Sequence, residues 1–438
     1  MLRKEFIKNT SLAAAGITIL NFPVFGKNAP SNKVVVAVMG VNGRGNFHAE
    51  SFSRLANAEV AYICDVEDNA IVKCMKGFAT ADKKPTVIKD IRELVNKKDF
   101  DGLIIAAPDH WHTRAALLGL DHGKHVYVEK PCGQNPYEGE LLVQAMKKYP
   151  KQVILMGSQR RSFPTLIEAA QQVREGIIGN AYYGKGWYNN NRKSIGNGKK
   201  VPVPSTLDFN LWQGPAPRRD YQDNLVHYNW HWFWHWGTAE TCNNASHEVD
   251  CCRWFLDVDY PTKVTSAGGR YAFKDDWQTP DTQTFSIEFG NNKSISWEGR
   301  SCNSFPTEGN SRGFIIYGDK GTLVNLGNDD YKIFDYDNKL IKEVKASEAG
   351  SGANTISATG SLDNFHFESF LEAIRGNRKL ISPIEEGHKT VLLCHLANIA
   401  QRTGRTLHCN PANGHILNDA DAMKLWKRDY EKGWEPKV

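Results

Sequence analysis

VVVAVMGVNGRG, residues 34 to 45, opens with six apolar, mostly β-branched side chains and closes on a turn holding three glycines. A run that is apolar at every position reads as a strand covered on both faces, the habit of a parallel sheet. The turn needs residues without bulk, so that backbone N–H groups and the positive end of the next helix can approach a pyrophosphate. Gly40 and Gly45 fit the first and third glycines of that fingerprint; Asn42 stands at the second, with Gly43 beside it and Arg44 leading into the helix. A second apolar strand, Val60 to Cys64, closes on Asp65, 25 residues after Gly40. An acidic residue about 20 positions on is where such folds hold the ribose hydroxyls of the adenosine half. Its charge repels a 2'-phosphate, which favours NAD over NADP as the cofactor.

Further on, Leu103 to Ala107 reads as another buried strand ending in Pro108. A helical stretch runs to Gly123, and His125 to Val128 forms a further strand ending in Glu129-Lys130-Pro131. Ligands of open parallel sheets bind beyond the carboxyl ends of the strands, so Pro108 to His112 and Glu129 to Pro131 are expected to converge on one crevice. The tract APDHWHTRAALLGLDHGKHVYVEKP, residues 107 to 131, resembles the signature of the Gfo/Idh/MocA oxidoreductases, and the likeness extends from Lys33 to the C-terminal helices. The resemblance implies an α/β fold: an N-terminal Rossmann domain with a doubly wound parallel sheet, then an α+β domain with a large, mostly antiparallel, open-faced sheet. It also implies that Lys130 lies against the nicotinamide and hydrogen-bonds the substrate hydroxyl, that Pro131 shapes the bend presenting it, through a cis bond or otherwise, and that His110, Trp111 and His112 line the same side.

Gln152 to Met156 is a last Rossmann strand, giving a first domain of residues 33 to 156 and a second of 157 to 438, which Gly157 to Arg161 opens. Helical periodicity covers Pro164 to Glu175. Alternating stretches at Ala181 to Tyr188, Lys263 to Ala267, Thr282 to Phe289, Lys293 to Trp297 and Gly313 to Tyr317 read as strands of one sheet, and Gly and Asn in residues 184 to 199 mark a long loop. Trp230-His231-Trp232-Phe233-Trp234-His235-Trp236 has no aliphatic side chain. Aromatic faces suit the C–H surfaces of a pyranose and imidazoles suit its hydroxyls, so Arg161, Trp230, His231, Trp234 and His235 are candidates for the substrate side, while a domain core is the bland alternative for the tryptophans. Downstream, Asn243, His247 and Asp250 have spacings that place them along one helix face. The segment resembles the family's acidic residue followed four positions later by histidine. By that likeness His247 faces the lysine across the substrate, whereas Asn243 replaces the aspartate and carries no proton; Asp250 is expected to buttress the helix or His247. In the C-terminal tract, residues 364 to 407, two amphipathic helices flank Glu385-Glu386-Gly387-His388, where His388 is a candidate for the pocket or a helix cap.

At 438 residues the chain is long enough for two large domains, and 41% hydrophobic with 24% charged residues is the range of globular proteins. A net charge of +5 is small for this length and does not point to nucleic acid. Past the first thirty residues no stretch is long and apolar enough to span a membrane. Those thirty read as a signal peptide: Arg3, Lys4 and Lys8 precede a small and apolar run from Ser11 to Leu20, then Pro23 and Gly26. Residues 3 to 8 resemble the twin-arginine motif with Lys4 in place of the second arginine, which leaves the route open; a periplasmic enzyme is expected, and its free thiols favour export after folding. Nine scattered cysteines lack zinc or disulfide spacing, and no metal is expected although His231 and His235 lie one turn apart.

Together these features predict hydride transfer between a tightly held NAD and a ring hydroxyl of a sugar or glycoside, His247 taking the proton and Lys130 polarising the hydroxyl. The partner is a small carbohydrate, with a homo-oligomer through the C-terminal sheet open. Two rivals stand beside this: an NAD-dependent glycosidase working by transient oxidation and elimination, and a sugar-binding protein without turnover.

Overall fold

The computed structural model describes residues 33–345 and 362–438; the signal peptide read at 1–30 lies outside them. The first domain begins with β1 (Val34–Met39), α1 (Arg44–Arg54), β2 (Ala58–Cys64), α2 (Asp68–Lys76) and β3 (Thr86–Ile88). It continues through β4 (Gly102–Ile105), α3 (Asp109–Asp121), β5 (His125–Val128), α4 (Pro136–Lys148) and β6 (Ile154–Met156). The six strands lie in the order β3-β2-β1-β4-β5-β6, every pair parallel, so the reversal of winding falls between β1 and β4, where a Rossmann sheet opens its crevice. Every residue of β4 is buried, as its unbroken apolar run predicts.

The second domain holds α5 (Pro164–Arg174), β7 (Ala181–Asn189), α6 (Ser246–Leu256), β8 (Lys263–Gly269), β9 (Thr282–Glu288) and β10 (Ser294–Arg300). β11 (Arg312–Gly318), β12 (Gly321–Asn325), β13 (Tyr331–Asp335), β14 (Leu340–Val344), α7 (Asn364–Ile374), α8 (Ile384–Thr403) and β15 (Leu407–His408) follow. Nine strands order as β14-β13-β12-β11-β7-β10-β9-β8-β15, antiparallel except for the β7–β10 pair. The strand β7 runs on through Asn189, so the loop expected from residue 184 starts only at Asn190: its glycines serve packing, not a turn. A Cβ at Gly186 would sit 2.7 Å from Glu248 Cβ, and this close approach seats α6 on the sheet.

The chain does not stay in the second domain after residue 157. On α7, Phe367, Phe370 and Leu371 share a core with Val34, Val36, Val38, Phe47, Phe52 and Tyr127. The buried α8 packs on α4 of the first domain and on β8 and α6 of the second. Near the C-terminus, Trp434 meets Trp111 edge to face at 5.1 Å. Eight of the nine cysteines are buried free thiols and Cys302 is half-buried. Among the described residues no helix is long and apolar enough to cross a membrane.

Because the Phe367 ring is wholly buried against the parallel sheet, Phe367→Ala should lower the unfolding free energy by about 3–5 kcal/mol. Urea denaturation checks this; a loss under about 1 kcal/mol would mean that α7 contributes little to that core.

Candidate active site

A cleft of about 620 Å³ opens at the carboxyl ends of β1, β2, β4 and β5, walled by both domains. At its floor Gly40 adopts φ +81°, and a Cβ there would lie 2.5 Å from the Ala107 nitrogen. A Cβ on Gly45 would meet the Gly40 carbonyl oxygen at 1.8 Å. Both glycines are thus required by close backbone approach, whereas Gly43 has open space around it and Asn42 keeps a negative φ. Helix α1 starts at Arg44 without a side-chain cap, leaving its first N–H groups for an anion.

Asp65 accepts from the Val41 N–H at 2.6 Å and the Glu67 N–H at 3.0 Å, tying the glycine turn to the end of β2. Burial pushes its carboxyl up, against the pull of those N–H groups. Each oxygen keeps acceptor capacity for a ribose hydroxyl. Glu67, Asp65 and Asp90 line this end with carboxylates, an environment hostile to a 2'-phosphate. The glycine turn, the uncapped helix and Asp65 fit a pyrophosphate and an adenosine ribose in the order a dinucleotide presents them.

Midway, Pro108, Trp111, His112, Glu129 and Lys130 line the cleft. The ring of His112 lies 2.7 Å from the Ala107 carbonyl and 2.5 Å from that of Pro131, holding together the loops that follow β4 and β5. His110, expected beside them, instead points to the Trp212 carbonyl at 2.9 Å and does not line the cleft. The Lys130–Pro131 bond is cis. Glu129 accepts from Arg44 Nε at 2.9 Å, from Gln159 at 3.2 Å and from the Lys130 N–H at 3.1 Å, with His48 Nε2 at 2.9 Å. Burial alone would push this carboxyl up, but Arg44 and His48 hold it well below the usual range.

Lys130 Nζ donates to the carbonyl oxygen and to Oδ1 of Asn243, at 2.7 and 2.8 Å. Burial lowers its pKa, while Glu129 and Asp109 oppose the fall. Asn243 belongs to a π turn, Thr241–Ala245, that precedes α6. Although Asn243 and His247 are four residues apart, the two side chains line different spaces. Asn243 faces the cleft. His247 lies behind Lys130 in a second cavity of about 10 Å³ with Ser158, Arg160, Ser246 and Asp250, about the room of one water. Burial, with Arg312 and Lys130 nearby, holds its imidazole neutral.

The tryptophan-rich tract divides. Trp230 and His231 line the cleft, stacked at 3.6 Å. Trp232 stacks on Trp277 at 4.0 Å, and Phe233 and Trp236 join a core with Leu207, Phe209 and Trp212. Trp234 lies beneath Arg402, and His235 contacts the Pro217 carbonyl at 2.7 Å; neither lines the cleft. Arg161 is likewise removed: it grips Asp250 with both Nε and Nη2, at 2.9–3.0 Å, and lies 3.4 Å from Glu386. Asp250 thereby buttresses α6, also accepting from Thr390 at 2.7 Å. His388 is buried against Gly139 of α4, outside the cleft.

Several cleft residues escaped the sequence reading: Tyr188, Asn190, Arg192, Tyr228, Asn244 and Arg312. Arg192 pairs with Glu240 at 2.7 Å and donates to the Tyr228 hydroxyl at 2.9 Å. Arg312 pairs with Glu248 at 2.8 Å. The available signal was the polar run Asn189-Asn190-Asn191-Arg192 at a strand end. Among the described residues no three His, Cys, Asp or Glu side chains gather as a metal would need.

This cleft and the two-sheet fold define an NAD-binding oxidoreductase, and the chain belongs to the Gfo/Idh/MocA oxidoreductase family. The family's NAD-binding Rossmann fold matches residues 34–156 and its C-terminal alpha/beta domain residues 200–408. Among curated relatives, a glycosyl hydrolase family 109 protein 1 of Shewanella sp. (strain MR-4) is 28% identical over 209 residues, 42% of this chain and 45% of that protein. An alpha-N-acetylgalactosaminidase of Shewanella oneidensis is 27% identical, with the same coverage. The chain thus spans a little under half the length of the curated relatives it matches. Of solved structures, levoglucosan dehydrogenase in complex with NADH and levoglucosan has a TM-score of 0.67 at 17% identity, covering 86% of this chain and 99% of that one. UDP-N-acetylglucosamine 3-dehydrogenase from Acidithiobacillus ferrooxidans has 0.59 at 15%, covering 85% and 98%. At these identities the likeness is one of fold.

Burial lowers three imidazoles well below the ordinary 6.5: His231 and His388 to about 3 and His235 to about 4. All three are neutral in the folded protein and take up protons more readily once unfolded, so stability is full above pH 6.5 and falls as the pH drops toward 3. Urea unfolding should give a clearly lower free energy at pH 5 than at pH 7; equal values would contradict the burial of these rings.

Proposed function

We propose that this protein oxidises a ring hydroxyl of one sugar or glycoside and reduces the carbonyl of another, the hydride passing between them on an NAD that stays bound between turnovers. The observation that carries the reading is the placement of Lys130: its ammonium stands in the same cleft as the glycine turn, facing a wall of Trp230, His231 and Asn243. Bound NAD supplies the two-electron acceptor or donor for the carbon that bears the hydroxyl. Asn190, Asn243 and Asn244 offer amides for the hydroxyls of a sugar, and Trp230, stacked behind His231 at 3.6 Å, holds that imidazole on the wall. Lys130 donates to the reacting oxygen and steadies the charge that grows there. His231 takes the proton: its Nδ1 lies 2.6 Å from the Tyr228 carbonyl, a contact that needs the proton on Nδ1 and leaves a lone pair on Nε2. His247, behind Lys130, acts on that ammonium through the small cavity rather than on the substrate.

Retention of the cofactor follows from a strap of the second domain. The Asp68 N–H donates to the Thr206 carbonyl at 2.9 Å and the Asp208 N–H to that of Val66 at 3.0 Å, with Glu67 and Leu207 paired as antiparallel neighbours. This crosses the end of the cleft that fits adenosine. The residue order of positions 1 to 30 supports export to the periplasm, where a retained cofactor spares dependence on a cytoplasmic pool.

A second reading draws on the relatives named as glycosyl hydrolases. Oxidation of a hydroxyl makes the proton on the neighbouring carbon acidic; loss of that proton expels the aglycone, water adds across the double bond so formed, and reduction of the carbonyl restores the cofactor, for net hydrolysis.

Lys130→Met should lower turnover by about 10²–10⁴-fold with NAD still bound; unchanged turnover would remove lysine from the reaction. Incubating wild-type protein with a panel of glycosides distinguishes the readings. A keto-sugar is the expected product, a free reducing sugar without keto product supports net hydrolysis, and neither product from any glycoside overturns both.

A further inference from the structure

The two proton-handling residues of the proposed site, Lys130 and His231, stand on different elements and share no hydrogen bond among those described. A continuous set of contacts nevertheless joins them, and it passes through one buried carboxylate. Glu240 is 3% exposed and sits just before the π turn. Its oxygens accept from Arg192 Nε at 2.7 Å and Nη2 at 3.2 Å, from Ser301 Oγ at 3.0 Å, from Asn243 Nδ2 at 3.1 Å and from Asn244 Nδ2. Asn243 is used at both ends: Nδ2 donates to Glu240 while Oδ1 accepts from Lys130. On the other side Arg192 Nη1 donates to the Tyr228 hydroxyl at 2.9 Å, and the carbonyl of the same tyrosine holds His231 Nδ1.

We propose that Glu240 is a positioning residue for the reaction: through Asn243 it fixes the Lys130 ammonium, and through Arg192 and Tyr228 it fixes the tautomer and place of His231. The inference rests on the oxidoreductase reading of this cleft and adds to it. With five donors crowding two oxygens, the carboxylate has no capacity left to act as a base itself. Its role is the charge. Burial would neutralise it, but Arg192 keeps it ionised. That charge, one amide away from Lys130, supplies what the neutral Asn243 does not.

Removing the charge therefore has a directional consequence at Lys130. The other groups acting on that ammonium stay in place: Glu129 on its own loop, Asp109 from α3, Arg44 from α1, His231 in the turn Asn229–Trp232 and His247 on α6. Losing a negative neighbour makes the ammonium easier to deprotonate.

The experiment is Glu240→Gln in the full-length, NAD-loaded protein, with the Lys130 side-chain carbon signal followed against pH by NMR on lysine-labelled protein. The signal is assigned by its loss in Lys130→Met. Its titration midpoint should move to lower pH in E240Q, and the double variant E240Q/N243D, which returns a carboxylate beside the ammonium, should move it back. A midpoint unchanged in E240Q overturns the proposal, and so does a shift that N243D fails to reverse. Should E240Q not fold, Glu240→Asp draws the same charge back by one methylene from Asn243: a Lys130 midpoint moved to lower pH supports the proposal, and an unchanged midpoint overturns it. Since the titration needs no turnover, its outcome is separate from that of the sugar assay.

Discussion

An ammonium buried where two domains meet must find acceptors there, because an unpaired charge out of water costs several kcal/mol. Lys130 is delivered by the first domain, from the end of β5, and its two acceptors are both supplied by Asn243 of the second. Much of the remaining architecture can be understood as keeping these two within 2.8 Å. The π turn carries Asn243 on the cleft wall. The glycine at 186 lets α6, and the turn before it, lie close on the sheet. Helix α8 packs on elements of both domains, and α7 returns to the parallel sheet after the second sheet is complete.

Carboxylates then distribute the charge. Glu129 binds Arg44 of the glycine turn from behind Lys130, Glu240 binds Arg192 in front, and Glu248 binds Arg312. Both arginines that line the cleft beside the substrate end have their own buried acid, so the site is polar without strong net charge. Such a site suits a neutral, hydroxyl-rich ligand better than an anionic one. Asp363, preceding α7, closes the set by pairing with Arg44 at 2.7 Å, which links the last part of the chain to the cofactor turn.

The first domain was legible because its signals are local. An unbroken apolar run means a doubly covered strand, and a glycine turn after it has few other uses, so β1, β2, β4 and β5 could be placed within a few residues, and Glu129-Lys130-Pro131 fell at the sheet edge by counting. The later strands β12 to β14 and the short β3 carry weak alternation and were missed. The substrate side was harder. Trp230 and His231 stand on the cleft wall, but the next five residues mostly pack inward or under Arg402, since an aromatic side chain reads alike whether it faces a sugar or a core. Arg161 and His388 were drawn toward the site by their type, whereas Asp250 and α4 hold them elsewhere. Arg192, Glu240 and Arg312 lie as much as 120 residues apart along the chain, with no periodicity connecting them, and only the folded chain brings them together. Position 247 shows the limit of spacing arguments: a four-residue interval puts two residues on one side of a helix without saying which cavity each side chain enters, and Asn243 and His247 enter different ones.

The most direct test of the account is the native mass of the protein as purified, without added cofactor. The strap over the adenosine end and the closed polar wall around Lys130 predict one NAD(H) per chain, still present after exhaustive dialysis. Protein that carries none, and that fails to take up NAD when it is supplied, would contradict the placement of a dinucleotide along these strand ends and with it the role given to Lys130.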